Sequence, residues 1–275
     1  MDSQTSGDRR FNHYTMKHRS VAWISQNVFD NLVYTVRHGL IKGMKRRGGL
    51  GWLPEFLTGS SRTMEECFWM SQNLKNLVMY DIGAFHGLLT LFFAQECRQV
   101  ISYEPNTRNH ARLIENIQLN GLKNVLVRQV GLGSKSEVVT MMTSQLMPGG
   151  ASTERNTVAG LLNSGVPVLS EQISITTLDD DIHKASLPRP DFVKLDIEGG
   201  ELPALVGARN TLLTYHPLLY LEMHGETMNL KIENAAAIVS CLNEFGYSEI
   251  LHIESGTRIT ADNSFVAAEG HLYCQ

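Results

Sequence analysis

The chain has 275 residues, 43% of them hydrophobic and 19% charged, enough for one large α/β domain with additional elements, and it carries a net charge of −4. No stretch approaches the roughly 18 uninterrupted apolar residues of a membrane span, and the polar start MDSQTSGDRRFNHY lacks the apolar core of a signal peptide, so the sequence predicts a soluble, cytoplasmic protein. Cys67, Cys97, Cys241 and Cys274 are far apart with no C-x-x-C, which speaks against a zinc knuckle or a short disulfide framework.

Residues 1–62 carry 10 lysines and arginines against 4 acids, whereas the remainder carries 14 against 24, so the amino-terminal segment is a separate electrostatic unit. Little periodicity is present over 1–18. Val21, Ile24, Val28, Leu32, Val36, Leu40 and Met44 recur at steps of three and four and predict an amphipathic helix over 21–45, suited to a lid or to a homodimer contact. Lys42, Lys45, Arg46 and Arg47 cluster before a glycine turn. Such a run complements a helix C-terminus, and it also suits a weak peripheral contact with an anionic membrane. Trp52, Leu53, Pro54 and Phe56 read as a short apolar loop, after which Thr63 and Glu66 have capping-box spacing. The boundary between a helical extension and the main domain is therefore placed at 62/63.

The most informative block follows. Residues 77–82 read as a strand, Asp81-Ile82-Gly83-Ala84-Phe85-His86-Gly87 as a tight turn, 87–97 as a helix, and 99–103 as a second strand ending at Glu104. This is the nucleotide-binding end of a βαβ unit, with Glu104 near the ~20-residue spacing at which an acid meets a ribose hydroxyl pair. Phe85 occupies the place where G-x-G-x-x-G needs its second glycine for backbone to approach a pyrophosphate, which argues against NAD. A cofactor with a ribose and no phosphate fits better, and S-adenosylmethionine has that form. Gly83, Ala84, Phe85, His86 and Gly87 would then line it, Asp81 would meet its aminoacyl ammonium directly or through water, and Glu104 would hold the ribose. Asn106 either reaches the cofactor or caps the helix over 106–120. Gln129 and Val130, at the end of a strand over 124–130, are candidates for the adenine.

Alternation lapses between 140 and 171, a polar, glycine-bearing stretch that reads as a loop and a candidate acceptor lid. Further strands are predicted over 191–196 and 217–223, and helices over 200–213 and 233–245. Two candidate clusters sit at those strand ends: Asp196 and Glu198 after FVKL, Glu222 and His224 after PLLYL. Asp196 also counts among the candidate cofactor contacts. Glu-x-His at a strand end puts both side chains on one face, and His224 is a candidate general base oriented by Glu222 or Asp196. The same three residues are an alternative Mg²⁺ site. Segments 248–254 and 264–273 have strand character.

Tyr80 to Gly87, Ser102-Tyr103-Glu104-Pro105-Asn106, FVKLDIEGGE over 192–201 and Leu221-Glu222-Met223-His224 together resemble the FkbM-type family of S-adenosylmethionine-dependent methyltransferases, across about residues 60–255. The resemblance implies a Rossmann-like class I methyltransferase fold, an α/β sheet mostly parallel with an antiparallel edge built from the last two strand segments. It also implies O-methylation of a hydroxyl on a small molecule or glycan. Alternatives remain open at this point: methylation of a macromolecule, supported only by the basic amino terminus, or a non-catalytic binding protein that retains the fold. An acidic main domain without a basic, aromatic-interleaved stripe speaks against nucleic acid.

Overall fold

The computed structural model describes residues 16–48, 63–144, 168–225 and 227–275. Helix α1 (Met16–Val28) leads into a small antiparallel pair, β1 (Val33–Thr35) and β2 (Lys45–Arg47), and α2 (Met64–Ser71) opens the main domain. Thr63 caps α2 in the predicted box: its side chain accepts from the Glu66 N–H while Glu66 accepts from the Thr63 N–H. The core then runs β3 (Val78–Ile82), α3 (Leu88–Glu96), β4 (Gln99–Tyr103), α4 (Thr107–Leu119), β5 (Val125–Arg128), β6 (Gly131–Leu132), β7 (Glu137–Ser144), β8 (Val168–Thr176), α5 (Leu178–Ala185), β9 (Phe192–Leu195), α6 (Glu201–Gly207), α7 (Arg209–Tyr215), β10 (Leu218–Glu222) and α8 (Met228–Glu244). β11 (Ile250–His252), β12 (Thr257–Arg258), a 3₁₀ segment (Ala261–Ala267) and β13 (His271–Cys274) complete it.

The main sheet has eight strands in the order β12-β11-β13-β10-β9-β3-β4-β5. β10, β9, β3, β4 and β5 are parallel, and β13 runs antiparallel to β10. The chain leaves β3 toward β4 and β5 on one side and later returns to β9 and β10 on the other, so the carboxyl ends of β3 and β9 meet at the switch point where α/β sheets bind ligands. Strand alternation divides two cores. Val78, Tyr80, Ile82, Val193 and Leu195 pack on one face with α6 and α8, while Met79, Phe192 and Tyr220 pack on the other with Phe68, Trp69 and Phe93.

Several local expectations change. The helix predicted over 21–45 ends at Val28. The β-prone Val33-Tyr34-Thr35 pairs with Lys45–Arg47, and Gly39 and Gly43 take left-handed φ of 73° and 90°, which breaks helical continuity. Of the apolar stripe only Val36 and Met44 are buried, joined by Ile41, whereas Ile24 and Val28 are exposed. Of the lid predicted over 140–171, both described ends are strand: β7 and β8 pair from Glu137↔Ile175 to Ser144↔Val168, and β8 also pairs with β6. The short alternation in QISIT carries too little apolar signal to be read as a strand locally. The remainder of that loop, residues 1–15 and the Trp52 to Phe56 loop lie outside the described residues. The helix over 200–213 is divided at Ala208, α5 is additional, and the predicted strand 264–273 is strand only from His271. Among the described residues, no helix is long and apolar enough to cross a membrane.

Candidate active site at the carboxyl ends of the parallel strands

The glycine turn is tied to the tip of β4 by two hydrogen bonds, from the Gly83 and Ala84 N–H groups to the Tyr103 carbonyl at 3.1 and 2.9 Å. Gly83 has a φ of 84°, and a Cβ there would overlap the Asp196 carbonyl oxygen. Only glycine lets the β3 turn and the end of β9 touch. Phe85 also takes a left-handed φ, 51°, and its N–H donates to Glu104 Oε2 at 2.9 Å. The Asn106 N–H donates to Glu104 Oε1 at 2.9 Å. Burial pushes the Glu104 carboxyl up to about 7, against the opposing pull of the Asn106 and Phe85 N–H groups. Glu104 is thus fixed at the strand tip by one backbone donor per oxygen, and each oxygen retains acceptor capacity.

Other residues of the predicted cofactor set have mixed surroundings. Asp81 is fully buried: Thr90 Oγ1 donates to its Oδ2 at 2.5 Å, and its Oδ1 lies 3.4 Å from Lys194 Nζ. Direct contact between Asp81 and a ligand is closed in this arrangement, leaving the indirect route. His86 is buried against the Phe85 ring at a 3.5 Å centroid separation, and burial with nearby Arg46 and Arg112 lowers its pKa well below the usual range. Asn106 caps α4, its Oδ1 accepting from the Asn109 N–H at 3.0 Å, and its Nδ2 donates to Glu171 at 2.9 Å. Gln129 is exposed and donates to Thr107 Oγ1, whereas Val130 packs against the core.

β9 and β10 are neighbours, and their ends bring Asp196, Glu198, Glu222 and His224 together. His224 Nε2 lies 3.7 Å from Asp196 Oδ1, 3.7 Å from Glu198 Oε2 and 3.5 Å from Glu222 Oε1. Its Nδ1 pairs with Glu201 Oε1 at 3.0 Å, and that oxygen is also held by the N–H groups of Ile197 and Gly199, both at 3.2 Å. Burial disfavours charge on His224, but the Glu201 hydrogen bond and the Glu201, Asp196 and Glu198 charges outweigh it and push its pKa up to about 10. Burial would also raise Asp196, yet Lys194 and His224 hold it below the usual carboxylate range. The cluster is open on its acidic side: the side chain of His224 is 6% exposed, that of Asp196 28% and that of Glu222 39%.

Four further residues complete this site, and the sequence reading did not single them out. Lys194, one strand position from apolar neighbours, bridges Asp81 and Asp196 from inside the sheet. An acid-flanked lysine within a buried strand is the signal that could have found it. Glu201 is visible only as the last letter of IEGGE. His271 is the cross-strand partner of Glu222, a pairing without local signature. Glu65, kept above its normal carboxylate range by burial despite His271 and Lys194, approaches from α2.

A family model described as the methyltransferase FkbM domain matches residues 81–249. The hexuronic acid methyltransferase AglP of Haloferax volcanii is 26% identical over 148 residues, which cover 54% of this chain and 56% of that protein. The crystal structure of methyltransferase FkbM from Methylobacillus flagellatus is similar in fold, with a TM-score of 0.50 and 22% identity over 81% of this chain and 50% of that one. This chain thus spans about half the length of each.

Proposed function

The chain belongs to the FkbM-type family of S-adenosylmethionine-dependent methyltransferases, and from that premise we propose that it methylates a hydroxyl oxygen of a glycan or small molecule. One observation carries the reading: the Gly83 turn abuts Asp196, so the cofactor cradle and the acid–imidazole cluster form one continuous site. The residues fit the cofactor. Glu104 has acceptor capacity for two ribose hydroxyls and is buried enough for such donors to matter, and Gly83, Ala84, Phe85, His86 and Gly87 shape the adjoining turn.

When bound, S-adenosylmethionine would supply the methyl group from its sulfonium, the bonding pair remaining on sulfur as the acceptor oxygen takes the carbon. The chain's own task is the acceptor. Asp196 and Glu222 face the opening of the cluster, where Glu222, the more exposed, accepts the hydroxyl proton as the new bond forms and Asp196 orients the hydroxyl. His224, expected above as the base, is held protonated here, so it supports the neighbouring carboxylates and their orientation in this arrangement. Glu201 fixes its ring. The hexuronic acid named for the relative supports a sugar-type acceptor.

The test is isothermal titration with S-adenosylhomocysteine on the wild type and Glu104→Ala, followed by transfer of labelled methyl groups to hydroxylated sugars. Binding lost in the variant and label recovered in an alkali-stable ether support the reading. Label in an ester, an amine or nothing, from protein that binds the cofactor, would sink O-methylation.

A further inference from the structure

We propose that Asp196, Glu222 and His224 form a binding site for a hard divalent cation, Mn²⁺ or Mg²⁺, beside the methyl-transfer position. One ligand atom from each lies within 4.8 Å of the others. Each of the three residues commits one atom to an outer partner and turns its other atom inward. His224 gives Nδ1 to Glu201 at 3.0 Å and turns Nε2 inward. Asp196 sets Oδ2 3.2 Å from Lys194 Nζ and turns Oδ1 inward. Glu222 sets Oε2 3.8 Å from His271 Nε2 and turns Oε1 inward.

The inward atoms have the spacing of ligands on one ion. Nε2 is 3.7 Å from Asp196 Oδ1 and 3.5 Å from Glu222 Oε1. Bonds of about 2.1 Å place two ligands about 3.0 Å apart at right angles and about 4.2 Å apart when opposed. His224 supplies an observation independent of the acids. Its side chain is 6% exposed, and its Nε2 is aimed into the cluster at 3.5 to 3.7 Å from carboxylate oxygens of Glu222, Asp196 and Glu198, longer than a well-formed hydrogen bond. A cation binding here would displace the proton from Nε2, and a buried carboxylate on Nδ1 that fixes the ring for coordination is the usual outer-shell arrangement of a metal-binding histidine.

Two carboxylates and one imidazole favour Mn²⁺ or Mg²⁺ over the soft, thiolate-seeking metals, with the imidazole tilting the choice toward Mn²⁺. The half-exposed side of the site leaves positions for acceptor oxygens, and a bound cation would lower the hydroxyl's pKa and fix its direction. A set of converging acids would also meet an anionic sugar more favourably with the cation in place. This role rests on the methyl-transfer reading, whereas the existence of the site does not.

Mn²⁺ is the probe, followed by loss of the free-ion paramagnetic resonance signal, with S-adenosylhomocysteine titrated into the same preparations. The expected result is one Mn²⁺ per chain. Affinity should fall at least about tenfold in Glu222→Gln and Asp196→Asn and about 10- to 100-fold in Glu201→Gln, while S-adenosylhomocysteine binding to Glu222→Gln changes less than about threefold. Glu222 is the most exposed of the three, so its amide variant retains the fold; circular dichroism verifies it. No Mn²⁺ binding at millimolar concentration by protein that binds S-adenosylhomocysteine overturns the proposal. So does Mn²⁺ binding undiminished in all three variants. Mn²⁺ binding with the expected variant pattern but without S-adenosylhomocysteine binding upholds the metal site and removes the methyl-transfer reading instead.

Discussion

Lys194 and Asp81 are paired residues of adjacent parallel strands, and their charged groups lie 3.4 Å apart in the interior, with side chains 4% and 0% exposed. The same ammonium lies 3.2 Å from Asp196 Oδ2 and donates to the Gly83 carbonyl at 3.0 Å. Burial disfavours its charge, but Asp196 and Asp81 outweigh that cost and keep it protonated. One cation therefore ties the β3 turn to the β9 end.

Lys194→Met would leave the buried Asp81 without its cation and Asp196 with His224 alone. The expected loss is about 3–5 kcal/mol of stability, the range for removing one partner of a buried ion pair. Urea denaturation measures it. Adding Asp81→Asn should restore part of the loss, and a double variant no more stable than Lys194→Met would show that the pair is not the cause.

Cofactor affinity should rise with pH. Glu104 titrates near 7 in the folded protein against a reference of 4.5. The sign is that of a carboxyl disfavoured by burial: its folded-state contribution is best at low pH and is lost as pH rises from 4.5 through 7. Ribose hydroxyls donate to the ionised form, so S-adenosylhomocysteine should bind about tenfold more weakly at pH 6 than at pH 8. Calorimetry at both values checks this, and Glu104→Gln should flatten the difference.

Gly83→Ala places a Cβ on the Asp196 carbonyl in a left-handed backbone, whereas Gly121 has a φ of 63° and open space around it. Gly121→Ala should cost about 1 kcal/mol, the conformational penalty alone. Gly83→Ala should cost more than about 3 kcal/mol or abolish S-adenosylhomocysteine binding. Equal thermal shifts for the two would contradict the contact between the turn and β9.

Arg112 anchors the amino-terminal strands: it donates to the Gly48 carbonyl and pairs with Asp30 Oδ1 at 3.1 Å and Glu115 Oε2 at 3.1 Å. Asn116 and Asn120 add contacts to the Arg47 and Lys45 N–H groups at 2.9 and 2.8 Å. Arg112→Ala should accelerate tryptic cleavage at Lys45–Arg47 and reduce stability by about 1.5–3 kcal/mol. An unchanged cleavage pattern would show that the asparagines suffice.

Glu222→Gln should reduce kcat about 100-fold or more with little change in acceptor KM, because a group that takes the proton acts chiefly in the transition state. A rise in KM at constant kcat would reassign Glu222 to binding.

The sequence by itself determined the parts of this protein whose signal is local. The β3 turn with Glu104, the Thr63 cap and the strand and helix alternation follow from residue types in short windows, whereas the approach of Asp196 to Glu222 and His224 was expected only from the fold that the resemblance implies. Tertiary structure decided the rest. Val33–Thr35 became a strand because Lys45–Arg47 pairs with it, and a 3.6-residue period cannot report that partner. His271 reached Glu222 through antiparallel register between segments some fifty residues apart. Glu65 and Lys194 came to the cluster through packing of α2 on the sheet face that carries Phe192 and Tyr220, and the charge state of His224 depends on Glu201, Asp196 and Glu198 at once. Hydrophobic period and turn chemistry are properties of short windows, whereas register and electrostatic coupling exist only after the chain has closed on itself.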